Sequence, residues 1–207
     1  PIYPELDEHY AVALERRDES RALAALPDAE PLTIDTTPKK GPSLRLRAVG
    51  DVQLGRAWPA SRAQLPPKDA MDIFMHLKSD LQDADITFGN LETALLDEGD
   101  STKCGPRSTK CFAFRVPTRY AKALKDAGFD VMSIANNHTG DFGQPGRDAT
   151  IRALDDNGIF HSGPVGDIAS FTSQGLKIAL IAFSTGGGVY RVQDIEMAKK
   201  VVRAQKP

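Results

Sequence analysis

Three short apolar segments of this chain each stop at a cluster of polar residues, and helix-like stretches separate them. The first segment, over 44–49, stops at Gly50-Asp51. The second, over 85–89, stops at Asn90-Leu91-Glu92. The third, over 131–135, stops at Asn136-Asn137-His138, with Asp141 just beyond. Parallel strands need long crossover connections, usually helical, so this alternation predicts an α/β layered domain with a largely parallel sheet in its first half. In open α/β sheets, ligands bind outside the carboxyl ends of the strands. If the three strands are neighbours, their polar ends converge on one rim.

The intervening segments supply the helices. Over 68–83, Met71, Phe74, Leu77 and Leu81 share one helical face, and Asp69 suits the positive end of the helix dipole. Pro117 opens a second helix, which Gly128 stops. A third spans 145–157 and ends at Gly158. Residues 112–116 and 159–161 read as short extended pieces. A hairpin over 171–183 turns near Gly175, and a last helix covers 194–204. Residues 1–43 read as a separate segment, a charge-rich helix followed by a proline-rich linker, so the domain proper is expected over 44–207.

Composition narrows the function classes. Of 207 residues, 41% are hydrophobic and 26% charged, as in an ordinary globular domain. The net charge of −2 gives no electrostatic case for nucleic acid. No run approaches the roughly 20 apolar residues of a membrane span. The chain begins at Pro1, which suggests removal of a leader or upstream segment. Cys104 and Cys111 lie close together in a polar loop. A disulfide, two free thiols and half of a metal site are all compatible with that spacing. A disulfide would place the protein outside the cytoplasm.

The rim residues define a chemistry. Asp51 and Glu92 bring negative charge, Asn90 and Asn137 neutral oxygens, and His138 an imidazole. Such a set suits Mn²⁺, Mg²⁺, Fe²⁺ or Zn²⁺, ions that polarise acyl and phosphoryl oxygens. His138 is either a ligand or a general acid beside the metal. Arg56 follows the first cluster and could hold an anionic substrate or lie on the surface. His161 reads as a rim residue or a hydrogen-bonded structural histidine. Gly186-Gly187-Gly188 lacks the Lys-Ser/Thr of a phosphate loop, and Ser184 lacks a nucleophile-elbow frame.

Three ordered motifs resemble those of the CapA family of bacterial capsule and poly-γ-glutamate synthesis. They are Gly50-Asp51-Val52-Gln53-Leu54-Gly55-Arg56, Gly89-Asn90-Leu91-Glu92-Thr93, and Ala135-Asn136-Asn137-His138-Thr139-Gly140-Asp141-Phe142-Gly143. Gly158-Ile159-Phe160-His161-Ser162-Gly163 follows at a fitting distance, and the resemblance covers about residues 44–190. It implies a calcineurin-like metallophosphatase-type layered sandwich, two β-sheets flanked by helices. It implies Asp51, Asn90, Glu92 and Asn137 as ligands of a divalent metal. His138 would be the acid beside that metal and Asp141 the residue orienting it. The expected substrate is an acidic polymer or a small anion, attacked at a γ-glutamyl amide or a phosphoester. Capsule-synthesis membrane proteins are the expected partners, and the location is extracytoplasmic.

The sequence departs from metallophosphatases where Val52-Gln53 replaces the Asp-x-His pattern, and no histidine follows His161. The chain is therefore expected to carry the N-terminal half of the domain, without the later histidine motifs. A non-catalytic polymer-binding scaffold is the alternative expectation.

Overall fold

A computed structural model describes residues 41–104 and 111–205. The helix and linker expected before residue 41 lie outside these residues. Within the unit Pro42–Pro207, the four principal strands are β1 (Leu46–Val52), β2 (Ile86–Leu91), β5 (Val131–Ser133) and β6 (Phe160–Ser162). They form one sheet in the order β1-β2-β5-β6, and every pairing is parallel. The three polar strand ends therefore do lie on neighbouring strands.

The other strands pair in twos. β3 (Ala94–Leu95) lies parallel to β4 (Arg115–Val116). β7 (Ala169–Ser173) and β8 (Leu176–Leu180) form the expected hairpin, turned at Gln174 and Gly175. β9 (Phe183–Ser184) pairs with β10 (Tyr190–Arg191).

The helices α1 (Lys78–Gln82), α2 (Ala121–Ala127), α3 (Gly143–Asp156) and α4 (Ile195–Ala204) complete the chain order. Side chains alternate across the sheet as strand geometry requires. Val52, Leu91 and Met132 point to the larger core, where Leu81, Leu124 and Leu154 come from α1, α2 and α3. Ile86 and Val131 point to the opposite face, where Ala169, Phe171 and Ile178 of the hairpin cover them. Gly89 allows the tight packing of this layer, because a Cβ there would lie 2.9 Å from the Phe129 ring.

The helix expected over 68–83 is mostly absent. Lys68, Asp69 and Ala70 have positive φ (52°, 52° and 65°), which is incompatible with a right-handed helix. The chain turns through 71–77 with Met71, Ile73, Met75 and Leu77 exposed, and only Lys78–Gln82 is α-helical. Of the residues expected to share a helical face, only Phe74 and Leu81 pack against the core. Two ion pairs, Lys68–Asp72 and Arg119–Asp69, hold the turn instead. Gly128, by contrast, ends α2 at φ 110°, as its sequence position suggests.

Candidate functional site

β1 and β2 each run further than expected, which brings Asp51 and Asn90 inside the sheet. The β1–β2 register shifts between Ala48 and Asp51, so that Asp51 sits opposite Asn90. A bulge of this kind re-aims a side chain at a strand end. Asn90 donates from Nδ2 to Asp51 Oδ1 at 2.7 Å. Asn136, just past β5, donates from Nδ2 to Asn90 Oδ1 at 3.0 Å and to the Leu91 carbonyl at 2.9 Å. One hydrogen-bonded chain thus ties three strand ends together.

The turn after β5 follows from its own side chains. Asn136 Oδ1 accepts from the His138 N–H at 2.9 Å, an Asx turn. Thr139 Oγ1 accepts from the Asn136 N–H at 2.8 Å. The Asp141 N–H reaches the His138 carbonyl at 3.1 Å. This tight winding sets the His138 and Asp141 side chains face to face.

His138 and Asp141 are the buried heart of the rim. His138 Nδ1 lies 2.7 Å from Asp141 Oδ2, and the two side chains are 10% and 0% exposed. A fully buried carboxylate needs several donors. Asp141 also accepts from the Phe114 N–H at 2.8 Å and from Lys103 Nζ at 2.5 Å. The Phe114 ring packs on the imidazole with centroids 4.5 Å apart, which restrains its rotation. An acceptor on Nδ1 fixes the ring with Nδ1 as donor, which leaves Nε2 as the unprotonated nitrogen. Nε2 has no hydrogen-bond partner among the described residues. His138 also borders a cavity of about 20 Å³ lined by Thr93, Thr139 and Arg147. That is room for one water molecule.

The remaining expected site residues are placed differently. Glu92 is half-buried at the rim, and its N–H bonds to the Val52 carbonyl at 3.1 Å. Asn137 is exposed, and its carbonyl accepts from Lys103 Nζ at 3.2 Å. Arg56 turns inward on its own loop, donating to the Arg62 carbonyl at 3.0 Å and to Gln64 Oε1 at 3.3 Å. It braces that loop rather than reaching for the rim. His161 is a structural histidine held between Asp167 (2.9 Å) and Asp155 (3.1 Å). Burial opposes its charge, but the two carboxylates outweigh burial and hold its pKa above the ordinary histidine value.

Asp51, Asn90, Glu92 and Asn137 are the candidate ligands. Both polar groups of Asn90 are engaged by Asp51 and Asn136. Among the described residues, no three His, Cys, Asp or Glu side chains gather closely enough to hold an ion. The acid–base chemistry proposed below is carried by the protein's own groups.

Two residues of this site are hard to find by sequence reading. Asn136 is the amide that joins the strands, while its neighbour Asn137 carries the ligand expectation. Lys103 lies in the polar loop, where its place beside Cys104 is the one hint. The structure pairs Cys104 with Cys111 in a disulfide, resolving the three alternatives. On the loop-entropy model, a ring of this size restricts the unfolded chain by about 2–3 kcal/mol.

A parallel sheet flanked by helices, with a polar strand-end rim and a buried His–Asp pair, makes this a mixed α/β protein, consistent with the metallophosphatase-like fold that the resemblance implies. The model of the family described as bacterial capsule synthesis protein PGA_cap matches residues 45–206, and the chain belongs to that family. A capsule biosynthesis protein CapA of Bacillus anthracis is 27% identical over 153 residues, covering 70% of this chain and 36% of that protein. Two proteins of Sinorhizobium fredii, both described as uncharacterized, are also similar. One, y4uA, is 37% identical over 117 residues, 56% of this chain and 23% of its own length. The other, y4sH, is 40% identical over 84 residues, 40% of this chain and 18% of its own length. The chain thus spans well under half the length of the curated relatives it matches.

Proposed function

We propose that this protein acts in bacterial capsule biosynthesis, on an acidic polymer, with His138 as general acid–base and Asp141 as the residue that orients it. The observation that carries the reading is the 2.7 Å contact of His138 Nδ1 with a carboxylate that is wholly buried. An imidazole fixed in this way can take a proton from a water as its oxygen attacks an acyl or phosphoryl centre. The same Nε2 then gives that proton to the departing amine or alkoxide as the old bond breaks. The Asp141 carboxylate, in contact with Nδ1, stabilises the imidazolium as it forms. A γ-glutamyl amide and a phosphoester are the substrate linkages that match this chemistry.

Membership of the family and the similarity to CapA support the capsule role. The Cys104–Cys111 disulfide supports an extracytoplasmic location, where capsule-synthesis membrane proteins are the natural partners. A divalent ion at Asp51 and Glu92 is part of this reading only if further ligands join them.

The second reading is a non-catalytic polymer-binding scaffold. Replacing His138 by Gln in the full protein of the producing cell separates the two. Catalysis predicts that capsule polymer changes in amount or chain length while protein level is kept. Unchanged polymer in the H138Q strain contradicts the catalytic reading.

A further inference from the structure

The donors that hold Asp141 come from both sides of the disulfide. Lys103 immediately precedes Cys104, and its Nζ lies 2.5 Å from Asp141 Oδ1 and 3.3 Å from His138 Nδ1. Phe114 follows Cys111 by three residues, and its N–H lies 2.8 Å from Asp141 Oδ2. The first arm has another hold. Ser101 Oγ donates to the Asp141 carbonyl at 2.6 Å and accepts from the Lys103 N–H at 3.2 Å. The two cysteine Cα atoms stand 5.5 Å apart, so the bond fixes the spacing of arms that approach one carboxylate from two directions.

We propose that the disulfide-closed loop is a two-armed clamp on Asp141, with Lys103 as its positioning residue, and that it makes the rim competent only when Cys104 and Cys111 are bonded. The proposal rests on the acid–base reading of His138. Asp141 is fully buried and Lys103 is 32% exposed. A charge pair at this depth is screened far less than a surface pair. The ammonium offsets the buried charge, and the Phe114 N–H holds the oxygen that faces the imidazole. With both arms in place, the carboxylate is held in one orientation. Reduction by a dithiol transfers two electrons and two protons, leaving two cysteine thiols and the cyclic disulfide of the reductant. The arms then separate, and Asp141 loses the partners that aim it. The same dependence would keep the site idle in a reducing cytoplasm and complete it after export.

The test uses the full chain in oxidised and dithiothreitol-reduced form, with K103M, K103R and the C104S/C111S double variant. Long-range ¹⁵N–¹H spectra of the histidine side chains report the His138 Nδ1 hydrogen bond directly, with H138Q supplying the assignment. His161, clamped by its own two carboxylates, is the internal control for folding. The expected result is an ordered His138 Nδ1–H signal in oxidised wild type and in K103R. That signal is lost or averaged in K103M, in C104S/C111S and after reduction, while His161 is unmoved. Turnover of a γ-glutamyl oligomer falls about tenfold or more in the same three states, with KM little changed. Reduction changes K103M less than it changes wild type, because one arm is already gone. The clamp is overturned if reduction leaves the His138 signal in place, or if K103M does so with the cysteines intact. Absence of turnover in every form, with the His138 signal still following the disulfide, overturns the acid–base reading and leaves the clamp standing.

Discussion

Removing the Asp141 carboxylate is the perturbation whose cost the structure defines best. Asp141→Ala leaves three donors without their acceptor: His138 Nδ1, the Phe114 N–H and Lys103 Nζ. Lys103 is one-third exposed and turns to water at little cost. The other two are buried or nearly so, and an unmade hydrogen bond of this kind costs about 1–3 kcal/mol each. The sum is a loss of about 2–6 kcal/mol, a large part of a domain's usual stability. Asp141→Asn keeps the shape and one oxygen. With that oxygen toward His138 and Phe114, its amide faces Lys103, and the loss falls to about 1–2 kcal/mol. Urea unfolding followed by Trp58 fluorescence reads both variants. This is the only tryptophan of the chain, and it packs edge-on against Phe142, next to Asp141 in sequence. The reasoning is refuted if Asp141→Ala lies within about 0.5 kcal/mol of wild type, or if Asn costs more than Ala.

Two further predictions concern stability. His161 is raised in the folded state by Asp167 and Asp155 against the opposing effect of burial. Its stabilising contribution is therefore complete below the unfolded histidine pKa of about 6.5 and is lost as pH rises through the higher folded value. Unfolding midpoints measured from pH 5.5 to 9 should fall over that window in wild type and lose this component in H161Q. Gly163→Ala would bring a Cβ within 2.3 Å of Ile134 Cγ1, in the residues that lead from β5 into the site turn. Overpacking of this kind costs about 1–3 kcal/mol, so the variant's melting temperature should drop while Gly166→Ala, with open space around it but positive φ, reports backbone strain alone.

Much of the scaffold was legible because strand ends have a strong local signature. An apolar run that stops at Asp51, Asn90 or Asn136 marks both a strand and its exit, and the parallel order follows from the helices between them. Local signals failed where the backbone took an unusual path. Nothing in Lys68-Asp69-Ala70 announces positive φ, so the helix expected there dissolved into a turn. The pairing of His138 with Asp141 was implied by the family resemblance, and the structure brings the two side chains to 2.7 Å. Lys103 was not legible, because a lysine in a polar loop is normally solvated, and its role depends on a disulfide that sequence spacing left open. Asn90 shows what motif reading leaves out: only the coordinates reveal that it bridges Asp51 and Asn136.

The most direct measurement is turnover of a γ-glutamyl oligomer by the purified full protein and its H138Q variant, each assayed with and without added Mn²⁺, alongside oligomer binding. A loss of roughly 10²–10⁴-fold in H138Q with binding retained is the expected result for a general acid–base group. Equal turnover in the two proteins, or binding without turnover in both, contradicts the assignment of His138.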